Sequence, residues 1–189
     1  MDTNELDARD RIMKATMEIL DEEQDTGKIT VRKIAERAGV GTGLINYHFQ
    51  SKEKLLYETV NVTMTQMAEE FRSVGKTNEM EPVEFIKYML KKLSEFAVRY
   101  KKLTQISVSY ALLQGEMDAE MYLLPALKTY YGRSRDENEL RLIAFTLIKT
   151  MQVIYLRADA FLKYSGIDVT DEEQRNESID LLVTSILKK

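Results

Sequence analysis

Residues 29–54 read ITVRKIAERAGVGTGLINYHFQSKEK, and this stretch decides the fold of the N-terminal part of the chain. Thr30 can cap a short helix that ends at Ala38 and carries its apolar side chains on one face. Gly39 supplies the positive φ that ends this helix, and a second short helix follows over residues 42–49. Two short helices joined by a glycine-containing turn are typical of a helix-turn-helix, whose second helix protrudes and can enter the major groove of DNA.

The basic charge of the chain is concentrated in the same stretch. The 189 residues have a formal net charge of −4, and residues 1–27 carry three Lys or Arg against nine Asp or Glu. Residues 28–54 carry six basic residues against two acidic ones, whereas residues 55–189 carry 18 against 20. A basic segment on an acidic chain predicts a local anionic partner. Three of the basic residues can equally belong to a solvated helix face: Lys28, Lys33 and Arg37.

Apolar periodicity predicts helices throughout the rest of the sequence. One helix over residues 8–23 precedes the motif, and Ser51 caps a long helix that follows it to about Val74. The polar residues 75–81 form the predicted linker, and Pro82 begins the next helix. Later helices are predicted over residues 83–100, 103–113, 119–131, 134–164 and 170–189. The sequence therefore predicts an all-α fold, with an N-terminal three-helix domain and a C-terminal helical domain.

Local signals mark helix boundaries in the C-terminal part. Pro125 should kink or split the helix that contains it, because proline removes a backbone N–H and clashes with the preceding turn. Ser134 and Glu137 have the spacing of a capping box, and so do Thr170 and Glu173. Each pair predicts the start of a helix.

The composition excludes several classes of protein. The sequence has no cysteine and one histidine, which removes disulfide frameworks, thiolate metal sites and most Ser-His-Asp arrangements. Two prolines and eight glycines are too few for the turns of an all-β domain. The glycines of residues 39–43 could form a phosphate loop, but no predicted strand precedes them. We therefore expect neither an enzyme nor a bound cofactor or metal ion.

The sequence also bears on the compartment. No apolar run approaches the roughly 18 residues that span a bilayer. The N-terminal residues MDTNELDARDR are acidic and polar, unlike a secretory signal. We therefore expect a cytoplasmic protein with no membrane association.

The motif resembles the DNA-binding domain of the TetR family of bacterial transcriptional regulators over about residues 8–58. The family pattern is approximately hydrophobic-T-x-R-x-I-A-x-x-A-G-V-S-x-G-x-L-Y-x-Y-F-x-S-K-E-x-L. The matching residues are Ile29, Thr30, Arg32, Ile34, Ala35, Ala38, Gly39, Val40, Gly43, Ile45, Phe49, Ser51, Lys52, Glu53 and Leu55. The chain departs from the pattern at Gly41, Thr42, Leu44 and Asn46, on or beside the recognition helix. The resemblance thus supports the fold and leaves the base sequence open.

The resemblance implies a set of DNA contacts: Arg32, Thr42, Gly43, Leu44, Asn46, Tyr47, His48 and Lys52. Arg32 and Lys52 would lie near phosphates. Asn46 could pair with an adenine edge, and Leu44 could touch a thymine methyl group. Tyr47 and His48 are expected to reach the DNA backbone, with a purely structural role as the alternative for His48.

The C-terminal part is rich in methionine and tyrosine. Met fills irregular space, and a buried Tyr hydroxyl needs a partner, so this composition suits either an ordinary core or an adaptable pocket. C-terminal domains of the TetR family bind small effectors, so the resemblance favours the pocket. Its candidate lining residues are Tyr88, Met89, Tyr100, Tyr110, Gln114, Met121, Met151, Gln152 and Tyr155.

The expected protein is a transcriptional regulator with a DNA-binding domain at residues 1–58, a helix that continues to about residue 74, and an effector-binding and dimerisation domain at residues 75–189. We expect a repressor that an unidentified small molecule releases from a pseudo-palindromic operator. The alternative is a helical ligand-binding or interaction module without specific DNA binding. Surplus apolar residues over residues 136–164 and 171–189 predict a homodimer through these two helices.

Overall fold

The chain folds into helices, and the predicted fold class is confirmed. In the computed structural model no strand occurs among the described residues. The structure describes the backbone of residues 3–23, 26–77 and 80–187, and the side chains of residues 8–23, 27–66 and 80–187. Within these ranges no helix is both long enough and apolar enough to cross a membrane.

The helices follow one another with short connections. In chain order they are α1 (Thr3–Glu22), α2 (Val31–Ala38), α3 (Thr42–Phe49), α4 (Lys52–Thr77), α5 (Pro82–Arg99), α6 (Lys101–Gln114), α7 (Asp118–Met121), α8 (Leu124–Tyr131), α9 (Glu137–Leu156), α10 (Ala158–Ser165) and α11 (Glu172–Ile186). A short 3₁₀ turn, Thr26–Lys28, precedes α2.

The helices form two compact units. The first contains α1, α2, α3, the part of α4 up to Thr65, and α6. The second contains the rest of α4, together with α5 and α7 to α11. The sequence-based division at residues 1–58 and 75–189 assigns α6 to the C-terminal domain, whereas the structure groups α6 with the N-terminal helices.

The ends of α2 are fixed by the residues that the sequence indicated. The Thr30 hydroxyl oxygen accepts a hydrogen bond from the Lys33 N–H at 3.2 Å, which satisfies one N–H of the first turn. Gly39 lies in the left-handed region with φ 65°, and its N–H donates to the carbonyls of Ala35 and Glu36. A side chain at Gly39 would be strained there, so the glycine ends the helix cheaply.

The helix α4 begins where predicted and extends further. The Ser51 hydroxyl accepts a hydrogen bond from the Lys54 N–H at 3.0 Å, as expected of an N-cap. The helix continues to Thr77, so it includes the first residues of the predicted linker at 75–81. Apolar periodicity also predicts that Met67 and Phe71 face inward on this helix, and their side chains lie outside the described residues.

Large aliphatic and aromatic side chains form the core of the first unit. Those fully buried are Ile12, Ile19, Ile29, Ile34, Ile45, Phe49, Leu55, Leu56 and Leu103. At its edge the Arg9 guanidinium lies 5.5 Å from the centre of the Phe49 ring and pairs with Glu58 at 2.6 Å. The last residues of α3 are thereby held against α1 and the first turns of α4.

The helix α6 is attached to this unit by two tyrosines. The Tyr110 ring lies 4.9 Å from the ring of Tyr57 on α4, measured between ring centres. The Tyr100 hydroxyl, just before α6, donates a hydrogen bond to the carboxylate of Asp21 at the end of α1. Both contacts join α6 to helices of the N-terminal part.

The second unit packs α5, α8, α9 and α11 around a continuous apolar core. Pro125 lies in the first turn of α8, after the short helix α7, so the predicted split at this proline is confirmed. Arg157 interrupts the single helix predicted over residues 134–164, because its φ of −124° and ψ of 38° leave the helical region.

Two predicted capping boxes are wrong in position. The box that opens α9 pairs Asp136 with Glu139, two residues after the predicted Ser134 and Glu137. The cap of α11 is Asp171, whose carboxylate accepts from the Gln174 N–H at 3.0 Å. A carboxylate competes effectively with a hydroxyl at this position, because it also interacts favourably with the helix dipole.

Loss of the Thr30 cap should destabilise the protein. We expect Thr30→Ala to lower the free energy of unfolding by about 1 kcal/mol, because the Lys33 N–H loses its acceptor. Thr129→Ala is the matched control, since its exposed hydroxyl donates only within α8, to the Pro125 carbonyl at 3.0 Å. The control should stay within about 0.5 kcal/mol of the parent. Urea unfolding at fixed protein concentration measures both, and equal effects of the two substitutions would contradict the capping role.

Candidate nucleic-acid interface

The helix α3 has one buried face and one exposed face. Ile45 and Phe49, four residues apart, are buried in the core of the first unit. The opposite side exposes Thr42, Gly43, Asn46 and Tyr47, which are four of the predicted DNA contacts. Tyr47 is 69% exposed. Among the described large apolar residues of this unit, only Leu113 is more exposed. The exposed face is therefore accessible to a groove of DNA.

The beginning of α3 lacks a side-chain cap. Gly41 occupies the N-cap position in an extended conformation, with φ −75° and ψ 146°, and makes no side-chain hydrogen bond to the helix. The first N–H groups of a helix have no partner within it, and they carry the positive end of the helix dipole. The start of α3 therefore offers backbone donors of the kind that bind phosphate oxygens.

Two of the predicted contacts are less accessible than the others. Leu44 and His48 are both partly buried. The Nε2 atom of His48 is buried and has no hydrogen-bond partner among the described residues, and its ring lies against Tyr47 and Phe49. This placement favours the structural role of His48 over a phosphate contact.

The flanking cations differ in their surroundings. The Arg32 side chain is 85% exposed and pairs with Glu36 one turn later, at 3.1 Å. Lys52 is partly buried at the first position of α4. An exposed ion pair contributes little to stability, so Arg32 can exchange its carboxylate partner for a phosphate at low cost.

Carboxylates from α1 neutralise part of the positive charge of residues 28–54. The Arg37 guanidinium donates two hydrogen bonds to Glu22, at 2.9 and 2.8 Å, and also lies 3.7 Å from Glu18. The hydrogen bond from Arg37 holds the pKa of the Glu22 carboxyl below its usual value. Arg37 therefore braces α2 against α1, a role that the acidic first helix could have suggested.

Gln50, just after α3, and Lys54, in the first turn of α4, make a contact that the sequence did not predict. Gln50 adopts φ 64° and ψ −38°, and its side-chain oxygen accepts a hydrogen bond from the Lys54 ammonium at 3.1 Å. Lys54 also lies 4.0 Å from Glu58. No sequence signal marks Gln50, because glutamine is unremarkable in a turn and its unusual backbone is visible only in the structure.

The structure separates the predicted ligand-binding residues into two sets. Met89, Met151 and Tyr155 are buried in the core of the second unit, and Tyr88 packs against that core. Burial raises the pKa of the Tyr155 hydroxyl, which lies near Ser94 and Arg175.

The other predicted residues lie elsewhere. Gln152 accepts a hydrogen bond from Lys149 at 3.1 Å, and Met121 is half exposed. Tyr100, Tyr110 and Gln114 belong to the first unit with α6. Tyr110 there lines a groove of about 510 Å³ together with Glu53, Lys102, Gln105, Ile106, Ser109 and Leu113. The nine residues therefore do not form one cluster within either unit.

The second unit contains a buried ion pair that the sequence did not predict. The Lys149 ammonium on α9 lies 2.7 Å from the Glu120 carboxylate on α7, and both side chains are almost fully buried. These residues are far apart in the sequence, so periodicity gave no indication that they would meet. The pair neutralises a charge on a largely apolar part of α9.

Comparisons with known proteins agree with this geometry. Residues 12–59 match the family described as bacterial regulatory proteins, tetR family. The structure is similar to Thermus thermophilus FadR, a TetR-family transcriptional repressor in complex with lauroyl-CoA, with a TM-score of 0.73 and 23% identity over 96% of each chain. It is also similar to the transcriptional regulator FadR of Bacillus subtilis in complex with stearoyl-CoA, with a TM-score of 0.61 and 18% identity over 94% of this chain and 98% of that one. At these identities the likeness shows the fold.

A curated protein is also similar to part of the chain. The nucleoid occlusion factor SlmA of Aliivibrio fischeri is 29% identical over 105 residues, which are 56% of this chain and 53% of SlmA. The chain thus matches about half the length of the curated relatives. The matched residues 12–59 contain α2, α3 and the capped ends described above, so this part of the chain is a DNA-binding domain of the tetR family type, and the chain has the fold of the solved regulators.

Proposed function

We propose that the protein is a DNA-binding transcriptional regulator that reads a pseudo-palindromic operator with α3. The observation that carries this proposal is the exposed face of α3, where Thr42, Gly43, Asn46 and Tyr47 stand opposite the buried Ile45 and Phe49. This face lies within the residues that match the TetR family. A helix held in this way can lie in the major groove and bring polar side chains to base edges.

Base reading and phosphate binding fall to different residues. Asn46 is exposed near the middle of α3, where its amide can donate to and accept from an adenine edge. Arg32 and Lys52 flank the helix and suit phosphate oxygens, together with the uncapped N–H groups after Gly41. In this arrangement Asn46 recognises the base sequence, whereas Arg32 and Lys52 position the protein on the duplex.

The alternative function is that of a ligand-binding or interaction module without specific DNA binding. The ion pairs of Arg37 with Glu22 and Glu18 favour it, because they reduce the positive charge available to DNA. We prefer the regulator because the face of α3 is open and matches the family in position. A gel-shift assay with DNA upstream of the gene for this protein distinguishes the two.

We also propose a homodimer formed through α9 and α11. On α9 the side chains of Leu142, Phe145 and Val153 are exposed, and their spacing places them on one side of the helix. Leu181 on α11 is 65% exposed. An apolar surface of this kind is unfavourable in water, and a second copy of the chain can cover it. A two-fold dimer presents two α3 helices to two half-sites.

The effector is proposed to be a small, largely apolar molecule that binds in the second unit and releases the repressor from DNA. The concentration of Met and Tyr in its core supports this proposal. Two proteins of the same fold are complexes with lauroyl-CoA and stearoyl-CoA, so long-chain acyl-CoA esters are the first ligands to test. Such a regulator would act in the cytoplasm, where DNA and acyl-CoA esters are both present.

Substitutions on α3 and α4 should separate the two kinds of DNA contact. We expect Lys52→Ala to weaken binding to operator and to random duplex alike, and to reduce the salt slope by about one unit. We expect Asn46→Ala to cost about 1 to 3 kcal/mol on the operator only, and to relax preference at one base pair. Binding-site selection from random duplexes, followed by titration at several salt concentrations, measures both. An unchanged selected sequence with Asn46→Ala would exclude base reading by Asn46.

A charge on the exposed side of α9 should prevent dimer formation. We expect Leu142→Glu to give a folded monomer in sedimentation at micromolar concentration, because a carboxylate cannot be buried against a second apolar helix. Leu113→Glu is the matched control, since Leu113 is 82% exposed on α6, outside the proposed interface. The control should sediment as the parent does. A parent protein that is itself monomeric would refute the dimer.

The effector and the operator should weaken each other. A coupling of about 1 to 3 kcal/mol corresponds to a 5- to 150-fold change in affinity, and linkage requires the same factor in both directions. Calorimetry of lauroyl-CoA with the free protein and with the operator complex measures the effect on the ligand. Equal affinities in the two states would exclude lauroyl-CoA as an inducer, however tightly it binds.

A further inference from the structure

The turn between α3 and α4 has an unfavourable backbone at Gln50. Its φ is 64° and its ψ is −38°, and no other non-glycine residue in the described part of the chain has a positive φ. The Ser51 N–H donates to the Phe49 carbonyl at 2.7 Å, which makes Gln50 the central residue of a γ-turn. The positive-φ form of this turn is rare and strained for residues with a side chain.

The local fold does not require a glutamine at this point. The Gln50 N–H donates to the Asn46 carbonyl at 3.0 Å and caps α3, a bond that any residue except proline can make. Gln50 is exposed, so its side chain contributes no burial that would offset the strain. Glycine would adopt this backbone at lower cost. Within the unit, the Gln50 side chain contributes only an exposed hydrogen bond with Lys54, which offsets little of this strain.

The side chain of Gln50 is held in a defined orientation. Its Oε1 accepts from the Lys54 ammonium at 3.1 Å. An ammonium only donates, so this contact identifies the atom next to Lys54 as the amide oxygen. The remaining polar group of Gln50 is its NH₂, with two donors, on the exposed surface at the C-terminal end of α3.

Two arguments select the part of DNA that this group fits. The middle of α3 faces the bases, and a residue just beyond its last turn lies over the sugar–phosphate backbone. Reading adenine with an amide needs the oxygen and the nitrogen together, and the oxygen of Gln50 is occupied by Lys54. Phosphate oxygens only accept hydrogen bonds, so they match a group that only donates.

We propose that Gln50 is a positioning residue for DNA, which donates hydrogen bonds from its side-chain NH₂ to a phosphate beside the half-site. Lys54 orients the amide, and the γ-turn holds the backbone of Gln50 between α3 and the start of α4. This inference rests on the proposed function, because it assigns a further contact to the same α3 surface.

Two substitutions at Gln50 test the proposal: both remove the side-chain NH₂, but only one of them relieves the backbone strain. We expect Gln50→Gly to raise Tm by about 2 °C, because glycine relieves the strain. The same variant should bind both operator and random duplex about 10- to 150-fold more weakly, because a hydrogen bond to a charged group is lost. Gln50→Met keeps the length of the side chain and removes its donors. It should show the same loss of affinity without the rise in Tm.

The salt dependence gives a second readout. The Gln50 amide is neutral, so both variants should keep the salt slope of the parent, whereas Lys52→Ala should reduce it. Affinity equal to that of the parent with Gln50→Met would overturn the proposal, and so would a loss confined to Gln50→Gly, which would indicate backbone flexibility. A reduced salt slope in the Gln50 variants, or a changed base preference, would also overturn it. If the parent itself binds no duplex, the proposed function fails and this inference with it.

Discussion

The recognition surface depends on the burial of two side chains, Ile45 and Phe49, in the core of the first unit. A helix of eight residues is not stable by itself in water, because nucleation costs more than so few hydrogen bonds return. The helix α3 therefore exists only while these side chains are packed against their neighbours. Since they lie four residues apart, they fix the rotation of the helix and turn Asn46 and Tyr47 toward solvent. The same packing thus stabilises α3 and exposes the face that is proposed to bind DNA.

The polar interactions around α3 brace the unit and leave the exposed face free of strong internal bonds. Arg9 pairs with Glu58 beside Phe49, and Arg37 joins α2 to Glu22 on α1. Arg37 belongs to the basic segment that the sequence assigns to an anionic partner, whereas Arg9 lies outside that segment. The carboxylates of these pairs come from α1 and α4, so the acidic first helix is compatible with a basic reading surface. Charge counted along the sequence overestimates the positive potential, because it ignores partners that folding brings close.

Much of the first unit could be predicted from the sequence, because its signals are local. The hydroxyl cap at Thr30, the left-handed Gly39 and the cap at Ser51 each act within four residues, and all three lie where predicted. The exposed face of α3 follows from the same periodicity. By contrast, the strained Gln50 could not be predicted, because a positive φ in a residue other than glycine reflects constraints from both flanking helices.

The second unit was harder to predict in detail, because its boundaries depend on competition and on distant contacts. At the start of α9 several residues can act as caps, and Asp136 is used instead of Ser134. The break between α9 and α10 falls at Arg157, where no glycine or proline indicates the end of a helix. The Lys149–Glu120 pair joins residues with no sequence relation, and it places a neutralised cation between the exposed Phe145 and Val153. Without Glu120, a lone ammonium would oppose burial of this side of α9.

The connectivity of the two units alters the expected route of coupling. The length of α4, 26 residues, makes it the expected link between the proposed DNA-reading and effector-binding parts. In the structure α4 is indeed continuous through Thr77, but the chain also passes between the units on either side of α6. Within the first unit α6 is bound to α1 through Tyr100 and Asp21, and to α4 through Tyr110 and Tyr57. Within the first unit, α6 is therefore in contact with the α1 and α4 helices that hold α3, so the proposed coupling has a second possible path besides α4.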